Sequence, residues 1–380
     1  MFSHTLDLAQ VDRRVAAGLA ERVLEPGVAQ RVRIMARLYQ AAPSGARVSG
    51  ETMAGILGIS RAAVHKHVEA LRLAGVAVHS SRGGGYRLSA PPDCVVPEVV
   101  LPLLLGADET RSGRPHGATP LSVGLPYRYF AAMDSTNESL KEIAQHEGPA
   151  GALAVTDDQK GGRGRLGRTW ISQPGKDLTF SVLLRPRVLP AEAPRLVLAA
   201  GLAVAEVIER LLGPARTVGI KWPNDVLVDG RKVCGILSEA SMDMDRLHWV
   251  VIGVGLNVNS RPAKAASGDG TDVRRPAPAS LAQSARETLP RPALLAQLLD
   301  ALAGRWSQVD AGAWESVRVA CAERDLLRGT SVVVRSGFSI DSVVTEGTAE
   351  GLGREGELLV RGQDGVIRAV RAGEVTLSGP

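Results

Sequence analysis

Two short strings hold most of the residues suited to chemistry on anions. The first runs Gly161-Gly162-Arg163-Gly164-Arg165-Leu166-Gly167-Arg168-Thr169-Trp170. Its glycines let the backbone approach an anion closely, and its arginines offer planar donor forks to phosphate or carboxylate. Gly162, Gly167, Arg168 and Thr169 have the spacing of a P-loop, with Arg in the place of Lys. A P-loop opens a helix, whereas here Trp170, a Pro174-Gly175 turn and the apolar run Leu178 to Leu184 follow, so that reading is rejected. An exposed Arg/Gly turn and a nucleic-acid contact stay open. The second string, Lys221-Trp222-Pro223-Asn224-Asp225, sets a compact positive charge at a strand end, a turn-fixing proline, and two side chains able to orient a ligand or a metal. Taken alone, it also fits a plain β-turn with a solvated Lys and Asp.

Such residues need a framework. Extended segments are predicted at Ala152 to Thr156, Leu178 to Leu184, Val218 to Lys221, Val233 to Ala240 and Leu247 to Val258, with one long helix near Glu192 to Leu212. Ser135 with Glu138 is a capping-box pattern opening a further helix to about Glu147. Strands outnumber helices and do not alternate with them, so the class is α+β with a mixed or antiparallel sheet. Four parts are expected: a winged helix-turn-helix over 28–90, a Pro-rich linker over 91–126, a central domain over 127–325, and a small C-terminal β-barrel over 326–380. Arg261 to Ser280, rich in Ala, Pro, Gly and Asp, reads as a surface insertion outside the core.

In the first part, Ser60 can cap a helix whose Val64, Val68 and Leu71 form one buried stripe, and Gly83 to Gly85 permit a tight turn that would tip a wing. Nine basic residues (Arg31, Arg33, Arg37, Arg47, Arg61, Lys66, Arg72, Arg82 and Arg87) stand there against only Glu51 and Glu69. The net charge of +5 is thus concentrated in this part. Arg61, Ala62, His65 and Lys66, early in the second helix of the pair, are placed to reach base edges, and Arg82 and Arg87 to touch phosphate. A winged helix serving as a protein contact is the alternative.

With 44% hydrophobic and 22% charged residues, disorder throughout is excluded. Cys94, Cys234 and Cys321 lie far apart, which offers neither a disulfide framework nor a CxxC zinc site and fits a reducing cytoplasm; Cys234 is expected in the core. Met1 to Gln10 lacks the succession of a secretory signal, and the apolar stretches are too short to span a membrane, so neither export nor membrane insertion is expected.

The two strings together, ordered with Ser135-Thr136-Asn137, Gln159, Gly235-Ile236-Leu237-Ser238-Glu239 and Gly253-Val254-Gly255-Leu256-Asn257, resemble the biotin protein ligase family. With the winged helix in front, the chain is similar to the bifunctional type, at once biotin–[carboxyl carrier protein] ligase and biotin operon repressor. The resemblance implies a class II synthetase-like ligase domain on a mixed sheet and an SH3-like barrel. It also implies formation of biotinyl-5'-adenylate from biotin and ATP with Mg2+, and transfer to a lysine of the biotin carboxyl carrier protein of acetyl-CoA carboxylase. Operator DNA and a homodimer are the other implied partners. Carried over by position, Ser135, Thr136, Asn137 and Gln159 would meet biotin. Arg163, Gly164 and Arg165 would close over biotin and its adenylate, and Lys221 would meet the biotin carboxylate and the α-phosphate. Arg168 would help hold phosphates, Trp170 would stack on adenine, and Asn224 and Asp225 would position nucleotide or magnesium. Lys221 and Arg165 are the expected catalytic residues. A biotin sensor without catalysis, or a lipoate-type ligase, are the alternatives.

Overall fold

The computed structural model of the protein describes residues 6–20, 23–81, 83–107, 123–262, 276–336 and 343–377. Helices α1 (Leu8–Ala20), α2 (Pro26–Ala41), α3 (Gly50–Leu57) and α4 (Arg61–Leu73) precede the hairpin of β1 (Val78–Ser81) and β2 (Gly85–Leu88), and α5 (Pro97–Leu105) follows it. The α3–α4 pair forms where the caps allow it. Ser49 Oγ accepts from the amides of Glu51 and Thr52, Ser60 Oγ accepts from Ala63 N at 3.1 Å, and Gly58, at φ 66°, turns the chain between them. Met53, Leu57, Val64, Val68 and Leu71 then close a small core with Ile34, Met35 and Leu38 of α2. Arg82 lies outside the described residues.

Two features there depart from expectation. Helix α1, in a region with no assigned role, packs on α2 and α5 through Val11 and Val15, and its Asp12 pairs with Arg33 and Arg37, each at 2.8 Å. Arg31 pairs with Glu98 of α5 at 2.7 Å. The basic face is therefore narrower than the sequence suggested, because carboxylates distant in sequence neutralise three of its arginines. The second concerns α5, the one short helix expected within the Pro-rich linker: the helix is present, and what was not expected is its burial. Its Val99 belongs to the winged-helix core, and its Val100, Leu101 and Leu104 belong to the main core. One helix is shared by two cores, so burial ties the parts together. Leu101→Ala, at a fully buried position, is expected to lower the unfolding free energy by about 2–5 kcal/mol in urea titration.

The central unit comprises β3 (Tyr127–Phe130), α6 (Thr136–Gln145), β4 (Leu153–Thr156), β5 (Leu178–Leu184), α7 (Ala193–Leu212), β6 (Val218–Lys221), β7 (Asp225–Val228), β8 (Arg231–Met242) and β9 (Leu247–Leu256), then α8 (Leu281–Ala285), α9 (Arg291–Asp310) and α10 (Trp314–Ala322). Its sheet has the order β3-β4-β5-β9-β8-β7-β6. Only β3 and β4 are parallel, so the sheet is mixed, as expected. Alternation sorts the side chains. Leu178, Phe180, Val182 and Leu184 of β5, with Val250, Ile252, Val254 and Leu256 of β9, join the core that contains α7 and α9. Cys234 lies in that core with Ile236, its thiol pushed up by burial. The opposite face carries Thr179, Ser181, Gly235, Leu237, Glu239, Gly253 and Gly255, and α6 lies against it.

Strands β10 (Ser331–Ser336), β11 (Val343–Leu352), β12 (Leu358–Arg361), β13 (Ile367–Val370) and β14 (Glu374–Leu377) form an antiparallel sheet in the order β13-β12-β11-β10-β14, consistent with an SH3-like unit. Strand β14 was not foreseen. The unit is bound to the central one by Trp222 Nε1, which donates to Gly356 O at 3.0 Å, and by an ion pair between Arg195 and Glu355. Among the described residues no helix is long and apolar enough to cross a membrane.

Candidate active site

The glycines of β9 shape the site. At Gly253 an added Cβ would stand 2.3 Å from Asn137 Oδ1, and at Gly255 it would stand 2.4 Å from Trp170 Cε2. Bare backbone at these alternate positions leaves the sheet face open, so that α6 and the glycine loop come down onto it. Gly235 pairs with Gly255 across the strands, and the Trp170 ring lies on this glycine floor with the Lys232 ammonium 5.7 Å from its centroid.

Around this floor one cavity gathers every residue expected at the pocket, from Ser135, Thr136, Asn137 and Gln159 through Arg163, Gly164, Arg165, Arg168 and Trp170 to Lys221, Asn224 and Asp225. It encloses about 1010 Å³ of atom-free space, part of it open to solvent. The neutral wall is built at the start of α6. Ser135 is the N-cap, its Oγ accepting from Glu138 N at 3.4 Å. The reciprocal half of the expected capping box is missing, because the Glu138 carboxylate is engaged with Lys141 and Arg163. Thr136 N donates to Gln159 Oε1 at 2.9 Å, Ser181 Oγ lies 2.6 Å from Asn137 Oδ1, and Asn137 Nδ2 donates to Glu239 Oε2 at 2.8 Å. Burial alone would raise the Glu239 carboxyl, but the Lys141 and Asn137 donors outweigh it and hold it below the usual range.

The cationic wall comes from the hairpin β6–β7. Lys221 ends β6 opposite Asp225, with Trp222, Pro223 and Asn224 as the turn, and the Trp222–Pro223 bond is cis. This lysine is not the solvated one of a plain turn. It is only 8% exposed, and its Nζ donates to Val375 O of β14 at 2.7 Å. Burial pulls its pKa below that of a free lysine, with Asp225 and Glu374 opposing the fall. Burial likewise lowers Arg165, which donates to Asn224 Oδ1 at 3.1 Å and to Gly373 O at 3.0 Å. Arg168 is ion-paired with Glu374, while Arg163, in the loop, is largely exposed. The C-terminal unit thus supplies carbonyls and a carboxylate to the cations of a site built mainly elsewhere.

Sequence reading missed Lys232 and Glu374 as part of this cavity, and Ser181 as the buried hydroxyl behind its wall that bonds Asn137. For Ser181 a signal existed: with Thr179 it places hydroxyls on one face of an otherwise apolar strand. For Glu374 there was none, since the strand carrying it was not foreseen. Arrangements of this kind suit reactions that unite two anions. Cations cancel the repulsion, and their partial burial strengthens the effect.

The arms of the winged helix are separate from this cavity. Arg61, Ala62, His65 and Lys66 lie exposed on the first turns of α4, and Arg87 is exposed on β2.

Comparison with known proteins gives two family matches: a biotin/lipoate A/B protein ligase family over residues 129–257 and an HTH domain over residues 33–87. The chain is 33% identical over 325 residues to the bifunctional ligase/repressor BirA of Bacillus subtilis (strain 168), covering 86% of this chain and 92% of that protein. It is 29% identical over 344 residues to the BirA of Escherichia coli (strain K12), covering 87% and 92% respectively. Among solved structures, the biotin protein ligase from Aquifex aeolicus in complex with biotin and ATP matches with a TM-score of 0.54 at 28% identity, over 66% of this chain and 97% of that one.

Proposed function

We infer, from a chain that belongs to the bifunctional biotin ligase/repressor family, that it joins biotin to a carrier-protein lysine at the expense of ATP and represses biotin synthesis genes through its winged helix. The observation that carries the reaction is the pairing, in one cavity, of a buried ammonium (Lys221) and a half-buried guanidinium (Arg165) with the hydrogen-bonding wall of Ser135, Thr136, Asn137 and Gln159.

In this reading the neutral wall orients biotin with its carboxylate toward Lys221. A carboxylate oxygen attacks the α-phosphorus of ATP, the bond to the β-phosphate oxygen breaks, and pyrophosphate leaves. Lys221 and Arg165 offset the repulsion between the two anions and stabilise the charge that develops. Trp170, whose Nε1 is buried without a partner among the described residues, presents a flat face for adenine, and Arg168 faces the phosphates. Two of the cavity's carboxylates, Asp225 and Glu374, with Asn224, would supply oxygen donors to a hard cation; magnesium, when bound with ATP, neutralises phosphate charge. The adenylate is a mixed anhydride, so a glycine loop that covers it protects it from water. The carrier lysine, as free amine, then attacks the acyl carbon, AMP leaves, and the extra proton passes to solvent. No nucleophile of the ligase is required. The natural carrier is the biotin carboxyl carrier protein of acetyl-CoA carboxylase, and the compartment is the cytoplasm.

The test is to incubate the protein with ATP, magnesium, biotin and a biotin carboxyl carrier domain, then weigh the carrier. A mass increase of one biotinyl group is expected; adenylate without transfer, or preference for lipoate, would overturn the assignment.

For repression, a homodimer formed through the ligase sheet would present two winged helices to a two-fold operator. Biotinyl-adenylate would favour that dimer by binding it better than the monomer. Sedimentation unaltered by the adenylate would reject this coupling. Replacing both Arg61 and Lys66 with Ala is expected to flatten the salt dependence of operator binding, by about 0.9 in log–log slope for each phosphate that is no longer neutralised. Biotin transfer should be unaffected, which titration at several salt concentrations beside the carrier assay would check.

A further inference from the structure

Arg291, the first residue of α9, is 3% exposed and sits where three separate segments meet. Its Nη1 donates to Asp157 Oδ1 at 2.6 Å and to Asp177 O at 3.3 Å. Its Nη2 donates to Asp93 O at 2.6 Å, and its Nε and backbone amide both reach Asp93 Oδ1 at 3.3 Å. A buried guanidinium is costly unless its donors are satisfied, and here they are satisfied by groups of distinct parts of the protein.

Asp157 directly follows β4 and Asp177 directly precedes β5, so they are the two stems of the glycine loop; Gly175 N donates to Asp157 O at 3.0 Å and closes the loop's neck. Two residues beyond Asp157 stands Gln159, which receives Thr136 in the pocket wall. On the other side, Asp93 opens the segment that leaves the winged helix. Tyr127 Oη donates to Val95 O at 2.6 Å, Val95 is buried in the main core, and Val96 is buried in the winged-helix core. A single side chain therefore holds the loop that covers the pocket and the strap that carries the DNA-binding unit.

We propose that Arg291 is the positioning residue through which the state of the glycine loop reaches the winged helix: tightening of the loop stems around bound ligand is transmitted to Asp93 and the 93–99 segment. The proposal rests on the ligase reading above, since biotin and ATP are the ligands that would tighten the loop.

The experiment is hydrogen exchange of residues 93–99 in the full chain, with and without biotin, ATP and magnesium, alongside pyrophosphate release. In the parent protein, ligand is expected to slow exchange in this segment by roughly fivefold or more, the low end of ordinary coupling. In Arg291→Lys, which keeps the charge but cannot span the three segments, the ratio between liganded and free protein should fall toward one. Asp93→Ala removes a side chain that is half exposed and leaves the Arg291 guanidinium its bonds to Asp93 O, Asp157 and Asp177 O, so the fold is expected to survive, which the melting temperature checks. It should reduce the same ratio while leaving adenylate formation within about twofold of the parent, and it decides the matter if Arg291→Lys does not fold. A purely structural role would speed exchange equally in both states and preserve the ratio, which would overturn the proposal. So would a parent that releases pyrophosphate yet shows no ligand-dependent change in the segment. A parent that releases none would fail the ligase reading, and this proposal with it.

Discussion

Replacing Lys221 with Gln is expected to slow adenylate formation roughly 10²–10³-fold, the loss typical when one preorganised charge donor is removed from a developing anion. The ammonium is 8% exposed at the end of β6 and donates to Val375 O. Its interaction with an arriving carboxylate and phosphate is therefore weakly screened. The same burial makes the charge costly in the empty protein, and its pKa is held below that of an exposed lysine by desolvation, against Asp225 and Glu374. Because the folded value lies below the unfolded one, the buried charge opposes folding at pH below the depressed value, and this opposition fades as pH rises through it. Lys221→Gln should then leave the melting temperature equal or higher, so that slow turnover is not mistaken for unfolding. In the parent, adenylation should decline on the alkaline side as the ammonium loses its proton, earlier than for a free lysine. Lys221→Arg, which keeps its charge throughout, should lose that limb whatever its absolute rate. Pyrophosphate release followed across pH decides both points; a Gln variant as fast as the parent would remove Lys221 from the chemistry.

Gly253→Ala should raise the KM for biotin about ten- to a hundred-fold, corresponding to an overpacking cost of roughly 1–3 kcal/mol. The added Cβ would meet Asn137 Oδ1 at 2.3 Å and Ser181 Oγ at 3.3 Å. Neither atom can yield cheaply. Asn137 is 6% exposed and tied through its Nδ2 to Glu239, and Ser181 is fully buried within β5. Any shift of Asn137 displaces the start of α6, which also carries Ser135 and Thr136. The control is Gly201→Ala in the middle of α7, where the nearest atoms to an added Cβ are Ile220 and Ile236 at 3.9 Å. That change should be neutral or stabilising by about 0.5–1 kcal/mol through helix propensity, with the biotin KM unaltered. Equal KM values in the two variants would mean that the floor of β9 does not set the pocket wall.

Much of this protein could be read from short windows. The α3–α4 pair and its turn are specified by Ser49, Gly58 and Ser60, all within a few residues of the backbone groups they satisfy. The seven-stranded sheet was foreseen except for β3 and β7, and β7 was missed because Asp225 to Val228 is short and directly adjoins the turn. The chemical groups of the site were legible because glycine-rich arginine loops and a lysine at a strand tip have few other uses in combination. Their environment was not. A solvated Lys221 and a buried one have the same neighbours in sequence.

Spacing along the chain was enough for the kinds of chemistry and for the elements that carry them, because caps, turns and alternation act over a handful of residues. Folding in three dimensions settled which charges are usable. Lys221 is covered by a carbonyl 154 residues away, Arg165 by one 208 residues away, and Arg291 joins Asp93 across 198. The same folding turned Arg31, Arg33 and Arg37 from a basic face into partners of Glu98 and Asp12. Such outcomes depend on burial and on distance through space, and the packing of the whole chain, rather than any local pattern, sets both.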